Sequence, residues 1–79
     1  MAAIKPDKVL DVKGLLCPLP VIKAKQVIQE IALGGILEIL ATDPAADSDI
    51  TAWTKRAGHE LLNMDKQGEV LIFHVKRYR

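Results

Sequence analysis

The period of the hydrophobic positions changes several times along the chain, and each change marks an element. Lys8-Val9-Leu10-Asp11-Val12 alternates weakly between apolar and polar and carries two valines, which predicts a short strand, with Gly14 marking the turn after it. From Pro18 onward Val21, Ala24, Val27, Ile28 and Ile31 recur at three- and four-residue spacing, so they share one side of a helix, while Lys25, Gln26, Gln29 and Glu30 fall elsewhere. Gly34-Gly35 is expected to end that helix, where a glycine can take a left-handed conformation. Ile36-Leu37-Glu38-Ile39-Leu40-Ala41 is a nearly continuous apolar run of strand length, and its place after a helix predicts a parallel crossover with this run as a central strand.

Asp43-Pro44-Ala45-Ala46-Asp47-Ser48-Asp49 reads as a loop ending in good N-cap residues, followed by a short second helix carrying Ile50, Trp53 and Ala57 and closed by Gly58. The spacing of Trp53 makes it a core residue. Glu60 to Met64, a turn through Asp65-Lys66-Gln67-Gly68, and Val70 to Val75 read as a hairpin. His74 then falls on the opposite sheet face from Leu71, Phe73 and Val75, so it is expected to face solvent or a partner. The order strand, helix, strand, helix, strand, strand with right-handed crossovers predicts an α/β (α+β) fold. It is a two-layer βαβαββ sandwich with a four-stranded mixed sheet and both helices on one face. The other sheet face is left open or covered by a partner.

A chain of 79 residues, 49% hydrophobic and 27% charged with a formal net charge of +1, is expected to form a single domain over residues 1–79. At this size only about 60% of the unfolded surface is buried, so chemistry belongs at an edge or loop rather than in a deep cavity. The single cysteine excludes an internal disulfide and points to a reducing compartment, the cytoplasm. The run Met1-Ala2-Ala3-Ile4-Lys5-Pro6 lacks the apolar stretch of a signal peptide, and no segment is long enough to span a membrane, so no membrane role is expected. The near-neutral charge argues against nucleic-acid binding, and the basic Lys76-Arg77-Tyr78-Arg79 end reads as a solvated tail. Cys17, His59 and His74 show no metal-ligand spacing, and neither a metal nor a cofactor is expected.

The chemistry therefore turns on Gly14-Leu15-Leu16-Cys17-Pro18-Leu19-Pro20. Cys17 is predicted as the N-cap of the first helix, with Pro18 at its first position and Pro20 in its first turn, where a missing N–H leaves no intrahelical bond unmade. The Leu19 and Val21 N–H groups are then the nearest donors to a sulfur anion, and the helix N-terminus is expected to lower the thiol pKa. By residue type alone a lone cysteine is a small buried hydrophobe, and on position alone both readings stay open. Leu19 and Ile22 fall outside the core side of the helix and, together with Leu16, are expected to form an apolar docking collar beside Cys17, unless a loop covers them. Lys23 is expected either to attract an anionic sulfur species or acidic partner, or simply to be solvated. Asp43, Asp47 and Asp49 lie at the same sheet edge as Cys17 and read as helix caps, because a carboxylate beside the thiol would raise its pKa.

The run Asp11-Val12-Lys13-Gly14-Leu15-Leu16-Cys17-Pro18-Leu19-Pro20 resembles the D-x-x-G-x-x-C-P-x-P signature of the TusA-like (SirA-like) family of sulfur carrier proteins. The resemblance extends to Ala41-Thr42-Asp43-Pro44, Gly58, the chain length and the element order. It implies a βαβαββ fold and a Cys17 that accepts sulfane sulfur as a persulfide and hands it to the next protein in a relay. It implies a sulfur donor such as a rhodanese or cysteine desulfurase, a DsrE-type or other thiol protein as acceptor, and little turnover by the chain alone. Leu16 and Leu19 stand where tRNA-thiolation members carry charge, so the likeness is to the C-P-L-P members of sulfur trafficking and oxidation. Two alternatives stand beside it. One is a noncatalytic regulatory or RNA-binding module using the open sheet face and the basic C-terminus, and the other is a redox switch forming intermolecular disulfides through Cys17.

Overall fold

The structure is a computed structural model and describes residues 5–79. Six principal elements follow in the order β1 (Lys8–Val12), α1 (Leu19–Val27), β2 (Ile36–Ala41), α2 (Ala46–Ala57), β3 (Glu60–Gln67) and β4 (Val70–Lys76). The sheet runs β1-β2-β4-β3, with β1 parallel to β2 and β4 antiparallel to both of its neighbours. The α2 crossover carries the chain past one strand position, and β4 returns from the hairpin to fill it. The four-stranded mixed sheet and two-helix arrangement is the α+β fold expected from the sequence.

Alternation along the inner strands decides which side chains meet the helices. Leu37, Ile39 and Ala41 of β2 and Leu71, Phe73 and Val75 of β4 are buried, and they join Val12, Ala24, Ile28, Ile31, Ile50 and Trp53 in one hydrophobic core. Each fully buried large apolar side chain contributes about 1.5–3 kcal/mol, so this layer between sheet and helices is what holds the fold together. Pro20 is also buried, while Leu19 and Ile22 point away from the core. The helical face read from the sequence is therefore the one that packs.

Several boundaries differ from the sequence reading. The α1 helix starts at Leu19 with Pro18 as its N-cap, so Cys17 lies one residue outside the cap and Pro18 is not the first helical residue. It tightens into a 3₁₀ turn at Ile28–Glu30 and ends before Gly34, whose φ of +83° serves the following turn. The α2 helix begins at Ala46, ahead of the predicted Ser48-Asp49 start, and runs for 12 residues. Asp43 starts it early: its side chain accepts from the Ala45 N–H at 3.0 Å and its carbonyl from the Ala46 N–H at 2.9 Å, folding a turn that leads into the helix. Asp47 and Asp49 thus lie in the first turn, where their charge suits the helix dipole, and do not cap it. His74 does lie on the face opposite Phe73, but it is buried there rather than solvated, its Nε2 2.8 Å from Glu38 Oε1 on β2.

Candidate functional site

Because β1 and β2 are parallel, with Val12 level with Ala41, both strands release their chains at the same sheet edge. The two loops that follow are bonded to each other there. Gly14, with φ +82°, makes the turn that no other residue adopts as easily, and its N–H donates to Thr42 Oγ1 at 2.9 Å. Cys17 N–H donates to Asp43 Oδ2 at 2.6 Å, while the other oxygen of that carboxylate holds Ala45. Asp43 is only 8% exposed, so one buried carboxylate fixes both the cysteine loop and the start of α2.

The thiol itself is exposed and free. The Leu19 N–H donates to Leu16 O at 2.9 Å, so one of the two backbone donors expected to face the sulfur is committed to the turn. The Cys17 thiol is pushed up from its ordinary range rather than down. A hydrogen bond to the Asp49 carboxylate is the largest cause, followed by partial desolvation and the charges of Asp49 and Asp43. The expected thiolate-stabilising helix end is outweighed because Cys17 lies beyond the cap and beside two carboxylates. The balance around Cys17 disfavours the thiolate.

Around it the predicted collar is exposed: Leu16 at 68%, Leu19 at 43% and Ile22 at 42%. No loop among the described residues covers these side chains, and Lys23 on the next position of α1 is exposed as well. Pro18 and Pro20 flank Leu19 at the helix start, Pro20 packed down into the core and Pro18 at the surface. On the other side of Cys17 an open groove of about 710 Å³ runs between α1 and α2. Val21, Ile28, Ala52 and Trp53 form its apolar part, and Lys25, Arg56, Arg77 and Arg79 its cationic part. Cys17, His59 and His74 form no metal group: among the described residues no three His, Cys, Asp or Glu side chains converge in one.

The sequence profile of the family described as sulfurtransferase TusA matches residues 8–77. The chain belongs to the TusA family. Its relatives include the Bacillus subtilis protein YrkI, 46% identical over 74 residues that cover 94% of this chain and 99% of the relative. They also include the sulfur carrier protein TusA of Allochromatium vinosum, 37% identical over 90% of this chain and 93% of the relative. The crystal structure of a SirA-like protein from Desulfitobacterium hafniense shares the fold, with a TM-score of 0.79 at 22% identity over 91% of this chain and 99% of that one. Among the described residues of this TusA-family chain no helix is long and apolar enough to cross a membrane.

Two features of the site were not read from the sequence. Thr42 and Asp43 anchor the cysteine loop, and the signal for this was the parallel pairing of the two strands that precede the loops. The cations of the groove come from α1, α2 and the segment after β4, so only the tertiary fold brings them together.

Proposed function

We propose that this chain is a sulfur carrier that takes sulfane sulfur as a persulfide on Cys17 and passes it to an acceptor protein in a sulfur relay. One observation carries the reading: the only cysteine is exposed while its backbone is fixed by a buried carboxylate, in a chain of the TusA family. A packed structural cysteine needs no such anchoring. In loading, the Cys17 thiolate attacks the outer sulfur of a donor persulfide, a bond forms from Cys17 Sγ to that sulfur, and the donor's inner sulfur leaves as a thiolate that takes up the proton. In delivery an acceptor thiolate attacks the same outer sulfur and Cys17 leaves. Each step exchanges one S–S bond for another and needs no outside oxidant.

Asp49 gives the resting thiol a reason to wait. With that carboxylate beside Cys17 the nucleophilic form is disfavoured, so the chain alone turns over little and a docked partner that displaces Asp49 or brings positive charge activates it. Leu16, Leu19 and Ile22 offer the apolar contact for brief docking, with Lys23 beside them for an acidic partner. The donor is a rhodanese or cysteine desulfurase and the acceptor a DsrE-type or other thiol protein, and the relay operates in the cytoplasm. Intact-mass spectrometry after incubation with inorganic polysulfide tests the reading. One added sulfur that a reductant removes, absent from Cys17→Ser, is expected; an unmodified protein with a thiol that also resists alkylation when folded would refute it.

A further inference from the structure

The groove between α1 and α2 has a charge arrangement that carriage on an exposed thiol does not require. The two helices run in the same direction, so their N-termini bring Cys17 and Asp49 to one end and their C-termini bring His59, Arg77 and Arg79 to the other. Lys25 and Arg56 stand along the walls. The ion pairs among the described residues join Lys8 to Glu30, Lys13 to Asp11 and His74 to Glu38, so no side-chain carboxylate partners any of the four groove cations there. Arg77 donates to the Ile31 carbonyl oxygen at 2.6 Å and to the main-chain oxygen of Arg79, the last residue of the sequence, at 2.7 Å. Arg79 lies against Gly58, where a Cβ would come within 2.7 Å of its Nε. The tail therefore does not hang in solvent as a basic end: it folds back and supplies the positive wall.

We propose that this groove binds a low-molecular-weight persulfide bearing carboxylates, a peptidic thiol persulfide of the glutathione class, with its outer sulfur at Cys17 and its carboxylates at Arg56 and Arg79. The size agrees. A volume of about 710 Å³ falls within the roughly 300–1,000 Å³ of small-molecule sites. Val21, Ile28 and Trp53 receive the methylene groups of the ligand. The charge gradient orients it, since Asp49 repels a carboxylate from the thiol end while the arginines attract it to the other. Transfer follows the loading chemistry above: a bond forms from Cys17 Sγ to the outer sulfur, the donor's S–S bond breaks, and the small thiolate departs with the proton.

This inference rests on the carrier reading of Cys17, and the experiment separates the two. Loading of Cys17 is followed by intact mass with glutathione persulfide, cysteamine persulfide and inorganic polysulfide, each rate normalised to that of the same donor with free cysteine. Glutathione persulfide is expected to saturate and to exceed cysteamine persulfide on the order of tenfold at low salt, the preference falling as salt rises. Arg56→Glu with Arg79→Glu should bring the ratio near one, and Lys66→Gln on β3 should leave it as it was. As a measurement free of chemistry, S-methylglutathione titrated into Cys17→Ser should change the fluorescence of Trp53 saturably and in a salt-dependent way. That titration decides the matter if the doubly substituted chain fails to fold. Polysulfide loading without any preference for glutathione persulfide, or a silent Trp53, would overturn the groove inference and leave the carrier reading standing. Absence of loading by every donor would overturn both.

Discussion

Replacing Asp43 by alanine removes the one side chain that fastens the cysteine loop to the rest of the molecule. Its carboxylate, nearly buried, accepts from Cys17 N–H at 2.6 Å and from Ala45 N–H at 3.0 Å. A hydrogen bond to a charged group is worth about 1.5–3 kcal/mol, and because water reaches the loop side of this pair the lower end applies, giving a cost of about 2–4 kcal/mol for Asp43→Ala. A 79-residue chain has a total stability of roughly 4–12 kcal/mol, so this is a large share of it. At about 4–8 °C per kcal/mol the melting temperature should fall by about 8–32 °C. Asp43→Asn keeps one acceptor oxygen but sets its NH2 against the other N–H, so it should lose at least about 1.5 kcal/mol. Far-UV circular dichroism melts give the stability, and amide exchange at Cys17 reports the loop directly, with faster exchange expected in the alanine variant. Asp43→Ala within about 0.5 kcal/mol of the parent, with Cys17 exchange unchanged, would refute the anchoring role, since surface changes fall in that range.

Other outcomes follow from the same geometry. Asp49→Asn removes the main cause that pushes the Cys17 thiol up, so the pH profile of its alkylation should move to lower pH, and an unmoved profile would contradict the assignment. Gly58→Ala places a side chain at φ +81° and against Arg79, and should cost roughly 1–2 kcal/mol from the backbone alone, read from denaturant melts. Burial, with Arg77 and Arg79 nearby, holds His59 below its ordinary value of 6.5, so the unfolded chain binds the proton more readily. Stability should therefore fall as pH drops below about 6.5, and His59→Gln should flatten that slope in melts taken across this range.

Much of the fold was legible because its signals are local. The spacing of Ala24, Ile28 and Ile31 marked the packed side of α1, and the continuous run of β2 marked an inner strand. Gly14 and Gly58 turned the chain where they were expected to, each with a positive φ. The helix starts were misread because prolines and aspartates that favour a cap can equally stand just outside one. Pro18 takes the cap position that Cys17 was expected to hold, and Asp43 folds a turn that starts α2 ahead of Asp49. The exposure of Leu19 and Ile22 followed from their angle on the helix. The state of the thiol did not follow, because it depends on a carboxylate from α2, far away in sequence. His74 was misjudged for a similar reason: Glu38 on the neighbouring strand partners it, and only the strand register brings the two together.

Carriage requires that sulfur both arrive at Cys17 and leave it for another thiol. The direct measurement is a chase with isotopically labelled sulfane sulfur: the chain is loaded, freed of donor, and mixed with an acceptor thiol protein of the DsrE type. The account predicts that the label moves intact to the acceptor cysteine at one sulfur per chain and that Cys17→Ser carries none. Label that never binds, or that leaves Cys17 only as free sulfide while the acceptor stays unlabelled, would contradict it.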